Sequence, residues 1–176
     1  ERVIKMKKIK NVMILFLCLA VCASLAACKS TGADTASTSK AKATTKEQIP
    51  DPWTNCNSLD EAIKISGINI SVPDSIDGYP TIIYRAMKDS TVEIIYRNGN
   101  EEIRVRKAAG SDDISGDYNN YSQTKIISSG DISVTEKGNN DKISLATWTN
   151  GNYTYSITFD PAVTSDYVQN IAAQIK

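Results

Sequence analysis

The residue types that perform most protein chemistry are sparse in this chain. It has 176 residues with four cysteines and no histidine. Without histidine there is no Ser-His or Cys-His nucleophile pair, no histidine-ligated zinc, and no imidazole that exchanges protons near neutral pH. We therefore expect a protein that is not an enzyme and that uses no cofactor.

Cys28 has the clearest chemical context of the four cysteines. It ends the sequence LAAC, which follows a basic stretch from Met6 and an apolar run from Val12 to Ala23. That run is shorter than the roughly 20 residues that a membrane-spanning helix needs. The order resembles a bacterial lipoprotein signal, in which the cysteine thiolate takes a diacylglyceryl group and the leader is removed in front of it. We expect a signal peptide over 1–27, with 1–5 an upstream extension.

Lipidation of Cys28 predicts where the rest of the chain resides. Two acyl chains give stable membrane anchorage, since each buried methylene contributes about 0.8 kcal/mol. The mature protein is therefore expected at the cell membrane, on its extracytoplasmic face. Residues 28–49 contain no aromatic and no large aliphatic side chain before Ile49, so they are expected to form a disordered tether. A folded domain is predicted over 50–176.

Cys56 is expected to be the only free thiol once the signal peptide is removed and Cys28 is lipidated. A hydrolase would have to use Cys56, or a carboxylate pair formed by Asp112 and Asp117. No histidine is present to activate the thiol, and a free cysteine usually packs as a small apolar side chain. We favour the structural role for Cys56.

The segment 110–121, GSDDISGDYNNY, is the longest stretch rich in polar turn residues within the domain. Its alternating oxygen groups resemble those of a calcium loop, but Tyr118 and Thr124 stand where an EF-hand counted from Asp113 needs glycine and glutamate. We predict no metal, and a loop held by side-chain to backbone hydrogen bonds. Long loops between strands often carry contacts, so this one supplies most of the predicted contact residues: Asp112, Asp113, Asp117, Tyr118, Asn119 and Tyr121.

A basic strand and an aromatic residue complete the predicted contact surface. Arg104 and Arg106, with Lys107 and Arg97 nearby, are expected on a solvated outer face among glutamates that include Glu93. Trp148 is predicted to face away from Tyr153 and Tyr155, where it either packs under other structure or joins an exposed patch. Aromatic side chains stack on sugars or anchor protein partners. The formal net charge is zero, which argues against nucleic acid as a partner.

The apolar pattern predicts an α+β domain with one curved antiparallel sheet. Two short helices are expected on one face of the sheet: an N-terminal one over Leu59–Ser66, capped by Ser58 and Gly67, and a C-terminal one over Asp166–Ile175, capped by Ser165. Between them we predict a meander of about seven to eight strands, with segments at 68–72, 81–87, 92–97, 102–107, 125–129, 132–136, 143–148 and 153–159.

Two glycine-containing turns predict strand register. A two-residue turn at Asn98-Gly99 would place Ile94 opposite Ile103 and Glu93 opposite Arg104. A three-residue loop over 149–151 would place Leu145 opposite Tyr155. Each register keeps apolar side chains on one face.

Several motifs resemble a family of lipoproteins from Gram-positive, chiefly clostridial, bacteria that carry a C-terminal domain of unknown function. They are Asp51-Pro52-Trp53, SLDEA at 58–62, VPDSI at 72–76, IRVRK at 103–107, DISGDY at 113–118, ATW at 146–148 and YTYSI at 153–157. Similar domains also occur as the extracytoplasmic parts of membrane-bound regulators that resemble anti-sigma factors. The resemblance implies a binding, interaction or sensing module with a protein or cell-wall partner. Cell-wall glycan binding is the alternative.

Overall fold

The computed structural model describes residues 50–176. The predicted signal peptide, Cys28 and the tether lie outside this range. The described residues form one eight-stranded antiparallel sheet and two α-helices. In chain order the elements are β1 (Thr54–Cys56), α1 (Leu59–Ser66), β2 (Thr81–Met87), β3 (Thr91–Asn98), β4 (Glu101–Ala109), β5 (Gln123–Ser129), β6 (Ile132–Asn139), β7 (Lys142–Asn150), β8 (Tyr153–Val163) and α2 (Ser165–Ala172).

The sheet confirms the α+β prediction, but its strand order is not a simple meander. The order is β1-β2-β3-β4-β8-β7-β6-β5, so β8 lies beside β4 and β5 forms the far edge. The chain therefore leaves β4 at Ala109, passes three strands and re-enters the sheet at Gln123. Residues 110–121, here called the crossover loop, make most of this connection. The meander prediction is wrong at this point because the β4–β8 pairing joins segments about 50 residues apart in sequence, which no local pattern indicates.

One face of the sheet, the helix face, carries the main hydrophobic core. Apolar residues alternate along β3, β4 and β8, so their inward side chains meet the apolar sides of both helices. The cluster contains Ala62 from α1, Val168, Ile171 and Ala172 from α2, and Ile94, Tyr96, Ile103, Val105, Ile157 and Phe159 from the sheet. Each helix has eight residues, too few to persist alone in water, so this burial holds them in place.

Capping residues set the helix ends. Ser58 accepts a hydrogen bond from the Glu61 N–H, and Gly67 ends α1 with a φ of 70°. The helix predicted over Leu59–Ser66 is present with those boundaries. The C-terminal helix begins and ends earlier than predicted, because the hydroxyl of Thr164 rather than Ser165 accepts from the Tyr167 N–H.

The predicted strand over 68–72 is wrong, although its alternation is real. Ile68 and Ile70 are buried in the core, while the backbone stays outside the eight-stranded sheet. Ser71 instead exchanges two backbone hydrogen bonds with Lys176, at 2.9 and 3.0 Å. An extended segment that lies across the core shows the same period as a strand. Conversely, β1 has only three residues and no clear apolar alternation, so the sequence analysis missed it.

Both predicted hairpin registers are wrong. Gly99 and Asn100 form the β3–β4 loop, with a Gly99 φ of 57°, so Ile94 lies opposite Val105 and Glu93 opposite Arg106. This shift of two residues keeps every side chain on its predicted face.

In the second hairpin, the change of register moves side chains to the other face. Gly151 and Asn152 form the β7–β8 loop, so Trp148 lies opposite Tyr155. Their rings stack with centroids 5.0 Å apart. The prediction that Trp148 faces away from Tyr155 is therefore wrong, and Trp148 is buried in the core rather than part of an exposed patch.

No helix in the described part of the chain is long and apolar enough to span a membrane.

Candidate functional site

The outer face of the sheet, opposite the helices, contains a buried ionic cluster. Glu93 on β3 is fully buried and its carboxylate lies against three guanidinium groups. The Nε of Arg106 donates to Glu93 Oε2 at 2.7 Å, whereas the Nε atoms of Arg85 and Arg104 lie 3.4 and 3.7 Å from its carboxylate oxygens. The prediction of a solvated outer face is wrong here, because the segment around Trp53 and the crossover loop cover this part of the sheet.

Trp53 is one of the covering groups. The guanidinium carbons of Arg85 and Arg106 lie 5.0 and 5.1 Å from the centroid of its ring, within the range of cation–π attraction. Asp51 lies 3.6 Å from Arg85 as well. The segment that precedes β1 therefore docks on the ionic cluster through an aromatic ring and a carboxylate.

Arg106 also holds the crossover loop. Its Nη1 donates to the carbonyl oxygens of Ile114 and Ser115, at 2.9 and 2.5 Å. A β-carbon on Gly116 would lie 2.7 Å from the same nitrogen, and Gly116 has a φ of 65°. Glycine is therefore required at 116 for both conformation and space. One buried side chain thus connects the sheet, the Trp53 segment and the loop.

Side-chain to backbone hydrogen bonds shape the loop itself. Asp113 accepts from the N–H of Ser115, Ser115 from that of Asp117, and Asp117 from that of Asn119, at 2.8 to 3.2 Å. These bonds confirm the predicted turn-forming role of the alternating oxygen groups. Within the described residues, no group of three or more acidic, cysteine or histidine side chains has an arrangement that could hold a metal ion.

The anchored loop presents an aromatic side chain to solvent. Tyr118 is 95% exposed, although it lies two residues after the glycine that packs on Arg106. Exposed aromatic rings on an ordered backbone make contact area available at a low cost in conformational entropy. Asp112, Asn119 and Asn120 are exposed on the same loop.

The crossover loop divides the outer face into two polar clefts. The first, here the Asp112 cleft, has a volume of about 240 Å³ and is lined by Asp112, Asp113 and hydroxyl side chains of β6, β7 and β8. The second, here the Asn139 cleft, has a volume of about 440 Å³. Its lining comprises Asp117, Asn119, Asn120, Tyr121, Asn139, Ser144, Thr158, Phe159 and Asp160.

The environments of two carboxylates favour their charged forms. Partial burial alone would raise the pKa of Glu102, but hydrogen bonds and charge from Arg97 and Arg104 outweigh it and hold that pKa below its ordinary value. Burial likewise opposes ionisation of Asp113, yet hydrogen bonds from Ser115 and the charge of Lys137 lower its pKa. Both groups therefore stay ionised to a lower pH than free side chains do.

The predicted contact residues fall into three places. Asp112 and Asp113 line the first cleft, Asp117, Asn119 and Tyr121 line the second, and Tyr118 extends into solvent. The hydroxyl of Tyr121 donates to Asp117, and burial followed by this contact raises the pKa of Tyr121. Asp112 and Asp117 thus lie beside different clefts, which does not favour their use as one catalytic pair.

Two predicted basic residues have structural contacts, and Lys107 lies on the other face. Arg104 bonds to Glu102, and Arg106 is buried beneath the loop. Because side chains alternate along β4, Lys107 points to the helix face. There it donates to the carbonyl of Asn69 at 2.7 Å and lies 5.0 Å from the centre of the Tyr155 ring.

Cys56 packs against the hydrophobic core from β1. Its thiol is 3.5 Å from the carbonyl oxygen of Thr54. Burial and the nearby charge of Glu61 raise the pKa of Cys56. A thiol is less nucleophilic than a thiolate, so this environment suits a packing role better than covalent catalysis.

Sequence reasoning missed several residues that shape the site. Trp53 and Arg85 belong to the ionic cluster, and Gly116 leaves room for Arg106 beneath the loop. Asn139, Ser144 and Asp160 line the Asn139 cleft. One local signal was available: Glu93 is the single charged residue within the apolar run TVEIIY, a position where a carboxylate requires a cation. The contribution of Ser144 depends on irregular strand pairing and has no comparable signal.

No family model, curated protein or solved structure matches this chain.

Proposed function

We propose that this protein is a membrane-anchored extracytoplasmic binding module, related to the clostridial lipoproteins that its motifs resemble. In this proposal Cys28 carries the lipid, residues 28–49 form the tether, and the crossover loop forms the contact surface for a protein or cell-wall partner. The single observation that carries the binding role is a loop fixed by a buried arginine that leaves Tyr118 fully accessible.

The crossover loop is organised before any partner binds. A loop that is ordered before binding loses less conformational entropy when its partner arrives, so more of the contact energy becomes affinity. The contacts of Arg106 and the successive turn bonds hold the backbone of 113–119. Tyr118 itself has no role in holding the loop that would explain an aromatic residue there. An exposed tyrosine on a held backbone is typical of a recognition residue.

A photo-cross-linking amino acid at position 118 tests this proposal in intact cells. The aromatic cross-linker preserves a ring at the proposed contact, and Lys64, which is exposed on α1, provides the control position. We expect a defined adduct from position 118 that position 64 does not give. The same adducts from both positions, or none from 118, would contradict the proposal.

A stability measurement complements the cross-linking. Tyr118→Ala should change the free energy of unfolding by less than about 0.5 kcal/mol, because the side chain is exposed. It should nevertheless abolish capture of the partner identified by cross-linking. A large loss of stability would show that Tyr118 serves the fold instead.

A further inference from the structure

The Asn139 cleft is formed at an irregular position of the sheet. Strand pairing shifts on both sides of β7: against β6 between Lys137 and Gly138, and against β8 between Ile143 and Leu145. Ser144 is the extra residue in the pairing with β6, whereas in the pairing with β8 the extra residues lie on β8, between Thr158 and Val163. Bulges redirect side chains and recur beside binding sites. Here Ser144 lines the cleft together with Tyr121.

Part of the polar lining is already satisfied within the protein. The two carboxylate oxygens of Asp117 accept from the N–H of Asn119 and the hydroxyl of Tyr121. The side-chain oxygen of Asn139 accepts from the backbone and hydroxyl of Ser122, each at 2.8 Å. These bonds fix the walls of the cleft and leave the amide nitrogen of Asn139 as a donor.

The remaining groups are chemically mixed. Asp160 supplies a carboxylate that has no salt bridge among the described residues. Asn119 and Asn120 supply amides, and Thr158 supplies a hydroxyl. Carboxylates accept only, amides both donate and accept, and hydroxyls do either. The cleft therefore offers donors and acceptors side by side.

This mixture discriminates between classes of ligand. An anion would meet Asp117 and Asp160 without any lysine or arginine in the lining. An apolar ligand would meet only two aromatic side chains, the buried Phe159 and Tyr121, whose hydroxyl is bonded to Asp117. A divalent metal would have one uncommitted carboxylate, too few for a stable oxygen shell. Sugar hydroxyls each donate and accept, which matches the alternation of carboxylate, amide and hydroxyl groups.

We propose that the Asn139 cleft binds a neutral saccharide. The inference rests on the proposed function, because it assigns a ligand class to the surface beside the crossover loop. The volume of about 440 Å³ lies within the range of ligand pockets, and the cleft is wide enough to admit a ligand from solvent. Asp160 and the asparagine amides bind the sugar hydroxyls, and Thr158 contributes a further hydrogen bond.

The test is a titration followed by two-dimensional amide NMR. The protein is the mature chain with Cys28→Ser, and the probes are N,N′-diacetylchitobiose as the neutral saccharide, glucose 6-phosphate as an anion and lysine amide as a cation. We expect saturable shifts of the side-chain amide signals of Asn119, Asn120 and Asn139 with the neutral probe only. Absence of saturable shifts with that probe, or stronger binding of the cation, would overturn the proposal.

A pair of identical substitutions in the two clefts provides the control. Thr158→Val removes a hydroxyl from the Asn139 cleft, and Thr149→Val does the same in the Asp112 cleft. Loss of one hydrogen bond should weaken saccharide binding about threefold to tenfold for Thr158→Val and leave it unchanged for Thr149→Val. Equal weakening by both would place the ligand elsewhere and contradict the proposal.

The outcomes separate this inference from the binding function itself. If the saccharide does not bind but position 118 still gives its specific adduct, the saccharide proposal is wrong and the proposed binding function stands. Saccharide binding that persists in Tyr118→Ala supports the cleft as a site distinct from the exposed tyrosine. Failure of both experiments rejects the surface as a whole.

Discussion

Glu93 is the residue on which the outer-face cluster depends. Its carboxylate is fully buried and is the shared partner of Arg85, Arg104 and Arg106. Removing one member of a buried ion pair leaves the other charge without compensation, which costs more than the pair contributed. The arrangement is therefore sensitive to any loss of negative charge at position 93.

Replacement of Glu93 by glutamine should lower the free energy of unfolding by about 3 to 5 kcal/mol. Glutamine retains the shape and most of the hydrogen bonding, so the change isolates charge. Urea unfolding measures the effect, and Glu101→Gln, at an exposed carboxylate on the same sheet, should change stability by less than about 0.5 kcal/mol. Equal effects from the two variants would refute a special role for Glu93.

The pKa values of Glu102 and Asp113 predict an acid-sensitive fold. Both pKa values are lower in the folded chain than their ordinary values. The folded state therefore holds fewer protons, and this contribution to stability is present above the unfolded-state pKa and is lost as pH falls through the folded-state values. Unfolding measured from pH 7 to pH 3 should show a progressive loss of stability on the acid side.

Glu102→Gln should flatten this acid dependence and lower stability at neutral pH. At the acid end, the variant and parent should become more alike, because protonation has already weakened the contacts of Glu102 with Arg97 and Arg104. A parent and variant with parallel pH profiles would show that these ion pairs do not contribute to the acid response.

The crossover loop is the element that gives the outer face its form. Two residues determine the path of the loop. Arg106 on β4 donates hydrogen bonds to two carbonyl groups of the loop, and Gly116 has no side chain that would collide with the Arg106 guanidinium. Arg106 is buried beneath the loop, and Gly116, although exposed, has no side chain of its own. The loop can therefore vary at its exposed positions while its backbone remains fixed.

Substitution of Gly116 by alanine should displace the loop. A left-handed conformation costs a non-glycine residue about 1 to 2 kcal/mol, and the contact of 2.7 Å with Arg106 adds the cost of overpacking, about 1 to 3 kcal/mol. Gly99→Ala is the matched control, since Gly99 has a φ of 57° but no atom within 4 Å of an added β-carbon.

Thermal or urea unfolding should therefore rank the two glycine variants. Gly116→Ala should lose more stability than Gly99→Ala by about the overpacking cost, and only Gly116→Ala should change the amide signals of 113–119. If both variants behave alike, the contact with Arg106 does not determine the path of the loop.

The sequence predicted most helices and strands correctly, but it did not predict how the strands pair or which segments cover the sheet. Periodicity and capping residues predicted α1 and the approximate position of every strand from β2 to β8 because these signals are local. Register was wrong because Gly99 and Gly151 each fit more than one loop position, and the sequence does not show which residue takes a positive φ. The burial of Glu93 and Arg106 was missed because the groups that cover them, Trp53 and the crossover loop, are distant in the chain.

At the scale of the whole molecule, the proposed anchor and the proposed contact surface serve one role. The segment 51–53, which leads from the predicted tether into the domain, docks on Arg85 and Arg106. The same Arg106 holds the crossover loop. The segment that would lead from the proposed anchor and the proposed contact surface therefore meet at one ionic cluster.

Metabolic labelling with palmitate tests the anchor. The parent should incorporate label into the mature protein, Cys28→Ser should not, and Cys56→Ser should label like the parent because Cys56 belongs to the folded domain. The two variants make the same thiol-to-hydroxyl change at different sites, which controls for general effects of losing a cysteine. Unchanged labelling of Cys28→Ser would exclude this residue as the site of lipid attachment.

We expect Arg106 to order the crossover loop before any partner binds, and backbone ¹⁵N relaxation of the free protein measures this order directly. We predict order parameters of about 0.85 for the amides of 113–117 in the parent, and values below about 0.6 in Arg106→Lys, which keeps the charge but lacks the paired donors. Low order parameters in the parent, or an unchanged loop in the variant, would contradict the account.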